Sequence, residues 1–161
     1  MIATPLNTDG ARIHEITANA GVFSPEEVVC VDELWQETLT RGAEAAGYHW
    51  LVERDETGLI LGYTCFGPRA LTDGTFDLFW IAVDRSLHRS GVGRRLLAAT
   101  EQAVSAMGGR LLFLETSGLP KYEATRRFYL GTGYTHEATI RDFYAPGDDL
   151  VIFTRHLDPV K

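Results

Sequence analysis

The sequence predicts a mixed α/β domain, and three features carry that expectation. Three strand-like segments lie between Tyr48 and Val83, separated by turns rich in Gly and Asp. A strand, helix, strand unit follows from Thr75 to Leu114, and two more strand-like segments come after a second helix that stops at glycines. Hairpins make antiparallel neighbours and a helical crossover makes a parallel one, so the sheet should be mixed, mostly antiparallel, and covered by helices.

A short strand is expected around Arg12–Ile16. Ser24-Pro25-Glu26-Glu27 then reads as an N-cap, a proline at the first helical position and acids in the first turn. The spacing of Val28, Val31, Leu34, Trp35 and Leu39 carries that helix to about Arg41 with one core-facing stripe. Tyr48–Val52 and Leu59–Phe66 flank Asp55-Glu56-Thr57-Gly58 and form a hairpin. Thr75–Val83 is rich in aromatic and aliphatic residues and predicts a central strand. Val92, Leu96, Leu97, Ala99, Ala103, Val104 and Met107 draw a helical stripe that ends at Gly108-Gly109. Leu111–Leu114 is a continuous apolar run, the pattern of a strand covered on both faces. A helix over about Lys121–Leu130 stops at Gly131-Thr132-Gly133, and Tyr134–Tyr144 with Leu150–His156 make a last hairpin.

Composition narrows the function. The 161 residues are 45% hydrophobic and 23% charged with 6 prolines, the balance of one soluble domain spanning 1–161. Fifteen Lys+Arg against 22 Asp+Glu leave a net charge of −7, so no nucleic-acid partner is expected. Cys30 and Cys65 are far apart, with no Cys or His at metal-ligand spacing, which suggests a reducing compartment. No basic leader followed by an apolar run opens the sequence, and no apolar stretch nears the roughly 20 residues of a bilayer span. A cytoplasmic protein with no membrane partner is the expectation. His14, His49, His88, His136 and His156 lack the spacings of metal ligands, so no metal is expected either.

The chemistry-bearing segment is Val83-Asp84-Arg85-Ser86-Leu87-His88-Arg89-Ser90-Gly91-Val92-Gly93-Arg94-Arg95, which leads from a strand end to a helix start. Its glycines let the backbone approach a ligand closely, unpaired N–H groups and the helix dipole favour an anion, and Arg89, Arg94 and Arg95 add local positive charge. The plain alternative is a helix start with solvated arginines. Two other phosphate loops do not fit: Leu96 stands where a dinucleotide fingerprint needs its third glycine, and Gly93 is followed by Arg94-Arg95 rather than Lys-Ser/Thr.

With these residues the chain resembles the GNAT superfamily of acyl-CoA-dependent N-acetyltransferases, over roughly residues 11–157. His88-Arg89-Ser90-Gly91-Val92-Gly93 resembles the family's Gln/Arg-x-x-Gly-x-Gly/Ala pyrophosphate loop, departing from it at His88. Ile81-Ala82-Val83 lies where the family's splayed strand pairs its backbone with pantetheine. Arg127-Phe128-Tyr129-Leu130-Gly131-Thr132-Gly133-Tyr134 is similar to the family's aromatic-Tyr-x-x-x-Gly-aromatic signature. The resemblance implies a GNAT-like fold, with a sheet of six to seven strands and about four helices. It also implies acetyl-CoA as acyl donor and a primary amine of a small molecule as acceptor.

The same resemblance implies roles. Tyr129 matches the general acid that protonates the leaving thiolate, and the Ile81 N–H is the oxyanion donor. Asp77 stands where several members carry a glutamate base; as a plain strand residue it would be salt-bridged or solvated. Glu115, at the end of the Leu111–Leu114 run, is the rival base or a substrate contact. Cofactor contacts extend over Ile81, Ala82, Val83, His88, Arg89, Ser90, Gly91, Val92, Gly93 and Arg94, with Thr116 and Ser117 beside the pantetheine arm and Arg126 or Arg127 toward a phosphate. Tyr122 stands where the family often has a cofactor-binding Asn, counted from Thr125. Trp35, Tyr63, Trp80, Asp142 and Tyr144 are of the residue types that line an amine pocket, although most aromatics in such a fold are core. Two readings compete with an enzyme: a non-catalytic acyl-CoA sensor or scaffold, and a purely structural domain. Monomer and homodimer are both open, an exposed strand of the last hairpin being able to pair between chains.

Overall fold

The computed structural model of the chain describes residues 1–158. Among them are seven strands and five α-helices: β1 Ile2–Ala3, α1 Gly10–Asn19, α2 Pro25–Arg41, α3 Ala43–Ala46, β2 His49–Arg54, β3 Ile60–Pro68, β4 Thr75–Val83, α4 Val92–Ala106, β5 Leu111–Ser117, α5 Glu123–Gly131, β6 Thr135–Ala145 and β7 Asp148–His156. The strands follow the order β1-β2-β3-β4-β5-β7-β6. β4 and β5 run parallel, whereas β1–β2, β2–β3, β5–β7 and β7–β6 are antiparallel. This is the mixed, mostly antiparallel sheet that the sequence predicts. The chain forms two compact units, one of Met1–Gly67 with Leu78–Ala103, the other of Pro68–Asp77 with the chain from Val104 onward.

In the first unit, Ser24 opens α2 as expected. Its hydroxyl accepts from the Glu27 N–H at 3.2 Å, while the Glu27 carboxylate accepts from the Ser24 N–H at 2.7 Å, a reciprocal cap worth about 1 kcal/mol. Val28, Val31 and Trp35 of the apolar stripe are buried, and Leu39 at its far end is exposed. The core joins Val31 and Trp35 to Ile13 and Ile16 from α1, Trp50 and Val52 from β2, and Ile60, Tyr63 and Cys65 from β3. Its polar tips are satisfied: Trp50 Nε1 donates to Thr38 Oγ1 at 2.9 Å, and Tyr63 and Thr17 share a 2.6 Å hydrogen bond.

One element of this unit differs from expectation. Arg12–Ile16 is not a strand but the middle of α1. Ile13, Ile16 and Thr17 recur at three and four residues and are all buried, a helical spacing that the short segment shows only once. α1 lies so close to α2 that a Cβ at Gly10 would sit 2.5 Å from the Trp35 indole nitrogen.

In the second unit, the start of β4 pairs with β5 from Thr75↔Leu111 to Asp77↔Phe113, and β5 pairs with β7 from Leu111↔His156 to Ser117↔Leu150. β5 is less evenly covered than its apolar run suggests. Leu112 and Leu114 are buried, but Leu111 and Phe113 are only half-buried and Glu115 is exposed. The Arg69 guanidinium, 4.4 Å from the Phe113 ring centre, covers part of that second face. α5 begins two residues later than expected, after a 3-10 turn over Pro120–Tyr122. Among the described residues no helix is long and apolar enough to cross a membrane, and no group of His, Cys, Asp and Glu is placed to hold a metal ion.

Candidate active site

The predicted site residues fall in both units. In the first, β4 ends at Val83 and the chain enters a turn organised by Asp84. That carboxylate accepts from the Ser86 N–H at 2.9 Å and from the Ser86 hydroxyl at 2.6 Å, and pairs with the Arg12 guanidinium. The Ser86 bonds, with Arg12 behind them, hold its pKa down to about 2. His88 is exposed and its Nε2 lies 3.3 Å from the Val83 carbonyl oxygen. Ser90 closes the turn, its hydroxyl donating to the Leu87 carbonyl at 2.6 Å.

Arg89 has φ +69° and Gly91 φ +85°, so the backbone swings through the left-handed region twice before α4 starts. The Arg95 N–H bonds back to the Gly91 carbonyl at 3.0 Å, the first full turn of the helix. The amides of Val92, Gly93 and Arg94 precede it and have no carbonyl within the helix to bond, which leaves three donors at the positive end of a 15-residue dipole. This is an anion cradle by construction.

The three arginines that the sequence places here do not share one task. Arg95 turns away: its Nε and Nη2 donate to the Glu53 carboxylate at 2.8 and 2.7 Å, and its Nη1 to the Ser90 carbonyl at 3.3 Å. Glu53 is buried, and its second carboxylate oxygen has no hydrogen-bond partner among the described residues. Arg95 therefore ties the turn to β2. Arg89 and Arg94 are exposed and have no ion-pair partner among the described residues, so their charge is available to a ligand.

Of the candidate amine-pocket residues in this unit, Trp35 and Tyr63 are core. Tyr63 is fully buried, its phenol pushed far above the ordinary range by burial. Trp80 is half-buried, edge-on to Phe23 at 5.2 Å.

In the second unit, Tyr129 sits on α5 with only 5% of its surface exposed. Its ring centre lies 5.4 to 5.7 Å from those of Phe128, Tyr134 and Phe153, and burial drives its phenol pKa far above the ordinary value. Asp77 is half-buried and accepts from Arg69 at 2.5 Å. Burial raises the Asp77 carboxyl and Arg69 works against that, with burial prevailing. Glu115 is exposed opposite Ile152 and has no ion-pair partner among the described residues.

Thr116 is buried, and Ser117 bonds Asp148 at 2.5 Å while accepting from the Leu119 N–H at 3.0 Å, so its hydroxyl is already engaged. Arg126 donates to the Ser117 and Leu119 carbonyls at 2.7 and 3.0 Å, closing the end of β5, and Arg127 pairs with Glu123 on the surface. Asp142 and Tyr144 lie on exposed β6.

Two cavities that the sequence does not foretell line up with none of the catalytic or donor-loop candidates. One, of about 420 Å³ between α1 and α2, holds His14 and Asp32, whose Nδ1 and Oδ2 lie 2.8 Å apart. The other, of about 350 Å³, lies among Arg126, Leu130, His136, Asp149 and Phe153. His14 and Asp32 are 18 residues apart, and only the packing of α1 on α2 pairs them.

Residues 14–134 match the family model of the acetyltransferase (GNAT) family. A solved GNAT-family structure from Desulfovibrio desulfuricans superposes with a TM-score of 0.91 at 41% identity, covering 98% of this chain and 100% of that one. An aminoglycoside 6′-N-acetyltransferase complexed with coenzyme A shares the fold at a TM-score of 0.77 and 16% identity, over 100% of this chain and 99% of that one. The yncA protein of Salmonella typhimurium, solved with its cofactor acetyl-CoA, does so at 0.75 and 20% identity, over 100% and 95%. Among curated protein sequences none matches significantly.

Proposed function

The chain belongs to the GNAT family of acetyltransferases, and on that premise we propose that it moves an acetyl group from acetyl-CoA to a primary amine of a small molecule by direct attack. The observation that carries the reading is the turn before α4: three amides without helical partners, two left-handed residues and two exposed guanidiniums with no ion-pair partner among the described residues, in an otherwise acidic chain. The amides of Val92, Gly93 and Arg94, with Gly91 and the side chains of Arg89 and Arg94, would take the pyrophosphate, and the backbone of Ile81–Val83 the pantetheine arm. The donor supplies an activated thioester carbonyl. The fold accommodates coenzyme A in the aminoglycoside acetyltransferase and acetyl-CoA in yncA.

The chain's own residues then handle protons. The acceptor arrives as an ammonium and must lose a proton before its nitrogen forms the C–N bond; the C–S bond breaks and the thiolate takes a proton. Tyr129, fully protonated at neutral pH, is assigned that last transfer. Asp77 is assigned the first, since a carboxyl raised by burial is a stronger base than a solvated one, and Glu115 is the alternative. The Ile81 N–H is assigned the oxyanion. One exposed and one buried free cysteine fit a reducing compartment such as the cytoplasm.

Calorimetric titration with acetyl-CoA, coenzyme A, NAD and ATP tests the donor site, and thiol release across a panel of amines tests turnover. Binding confined to the two CoA compounds, with thiol release on an amine, is the expected result. Tyr129→Phe should keep donor affinity and lower turnover about a hundredfold or more. Donor binding without turnover on any amine would favour the sensor reading, and no binding of CoA compounds would overturn both.

A further inference from the structure

On the reading of the turn before α4 as the pyrophosphate site, we infer that Glu53 of β2 is a positioning residue of that site. It holds the Ser90-Gly91 peptide in place through Arg95 and does not itself touch the donor.

Strand alternation aims Glu53 at α4. Trp50 and Val52 of β2 lie in the core shared with α1 and α2, so Glu53 faces the other side of the sheet. Its antiparallel partner on β3 is Gly62, where a Cβ would sit 3.0 Å from Leu96 Cδ1 and 2.8 Å from the Ala82 carbonyl oxygen. The missing side chain lets the start of α4 lie against the strand, which brings Arg95 to a carboxylate 42 residues away in sequence.

The guanidinium makes three bonds there. Nε and Nη2 donate to one oxygen of Glu53, Oε1, at 2.8 and 2.7 Å, and Nη1 donates to the Ser90 carbonyl at 3.3 Å. The two short, charge-assisted bonds fix the planar group; the long third one is too weak to hold a half-exposed arginine alone. So fixed, Nη1 stands 2.9 Å from where a Gly91 Cβ would be, over the glycine whose φ is +85°. A planar trans peptide carries the effect onward. With the Ser90 carbonyl turned toward Arg95, the Gly91 N–H is turned away from it, and the helix with its free first amides begins at the next residue.

Charge alone predicts a different role for Glu53. Its Oε2 is buried with no hydrogen-bond partner among the described residues, a cost to stability that a half-exposed arginine offsets only in part. A carboxylate one side chain away from an anion site also repels the anion. Glu53→Gln removes that repulsion and frees a third arginine, so by charge alone the variant would bind coenzyme A more tightly. Positioning gives the opposite sign, because a freed Arg95 no longer holds the Ser90 carbonyl and the ligand must order the turn itself.

Calorimetric titration with coenzyme A and with pantetheine, which lacks the pyrophosphate, reads the outcome, with far-UV circular dichroism as the check on folding. The unaltered chain should bind coenzyme A more tightly than pantetheine; an affinity no greater would overturn the donor-site reading and the role of Glu53 with it. Glu53→Gln should weaken coenzyme A about tenfold and leave pantetheine as before, raising the KM for acetyl-CoA while kcat at saturating donor holds. Arg95→Lys keeps the charge but replaces the fork that spans Glu53 and Ser90 with a point, so it should weaken coenzyme A by a similar factor. It carries the test should Glu53→Gln fail to fold. The double variant should bind no more weakly than either single one, because the two side chains act as a unit. Where the unaltered chain does prefer coenzyme A, equal or tighter binding by Glu53→Gln overturns the role of Glu53 alone. So does an unchanged affinity in Arg95→Lys, or losses that multiply in the double variant.

Discussion

Asp77 and Glu115 are both carboxylates on adjacent strands, yet their surroundings differ enough to make different predictions. Asp77 is half-buried beside Arg69, and burial prevails in raising its pKa, whereas Glu115 is exposed. If Asp77 is the base, activity falls as the pH drops through its raised pKa, so the acid limb of kcat/KM lies above the ordinary aspartate value near about 4. Asp77→Asn should remove that limb and Glu115→Gln should leave it; the pH profiles of the two variants decide. Asp84 makes the opposite case, because its folded pKa is depressed to about 2, chiefly by Ser86. Its contribution is present above the unfolded aspartate value and is lost as the pH falls toward about 2. Asp84→Asn should cost on the order of 1 to 2 kcal/mol at neutral pH once solvent screening is allowed for, a gap that closes on acidification in urea melts.

At the scale of elements, the turn into α4 depends on a left-handed glycine. Gly91 has φ +85°, and a Cβ there would also meet the Arg95 guanidinium at 2.9 Å. Gly58, in the hairpin turn between β2 and β3, has a similar φ of +89°, but a Cβ there would find nothing within 4 Å. Leucine at either place costs about 1 to 2 kcal/mol of backbone strain. Only Gly91→Leu should also abolish acetyl-CoA binding by calorimetry, because only there does the side chain distort, through Arg95, the turn proposed to take the pyrophosphate; Gly58→Leu should bind as the unaltered chain does. Retained binding in Gly91→Leu would remove the turn from the donor site. The same turn shows the limit of counting charges along a sequence: Arg94 and Arg95 are neighbours, but Arg95 is held by Glu53 from β2, 42 residues away.

The molecule as a whole carries a net charge of −7, which attracts cationic acceptors over a range that salt shortens to about 10 Å at 0.1 M. At saturating acetyl-CoA, kcat/KM for acceptors with several positive charges should fall with added salt more steeply than for those with one; equal slopes would discount the net charge as a guide to the acceptor. By itself the sequence determined the mixed sheet, the hairpins, α2 with its cap, α4, α5 and the glycine turn. These rest on local rules: side-chain period, capping and the backbone freedom of glycine act over a few residues and can be read in order. It mistook α1 for a strand because Ile13 and Ile16 alone cannot separate the two periods, and burial against α2 resolved it. Only the tertiary structure decided that Tyr63 and Trp35 are core, that Ser117, Arg95 and Arg126 are already engaged, that Asp77 meets Arg69, and that β6 lies open at the sheet edge. Each of these depends on which distant segments desolvate or pair with a side chain, and that free energy has no local signature in the chain.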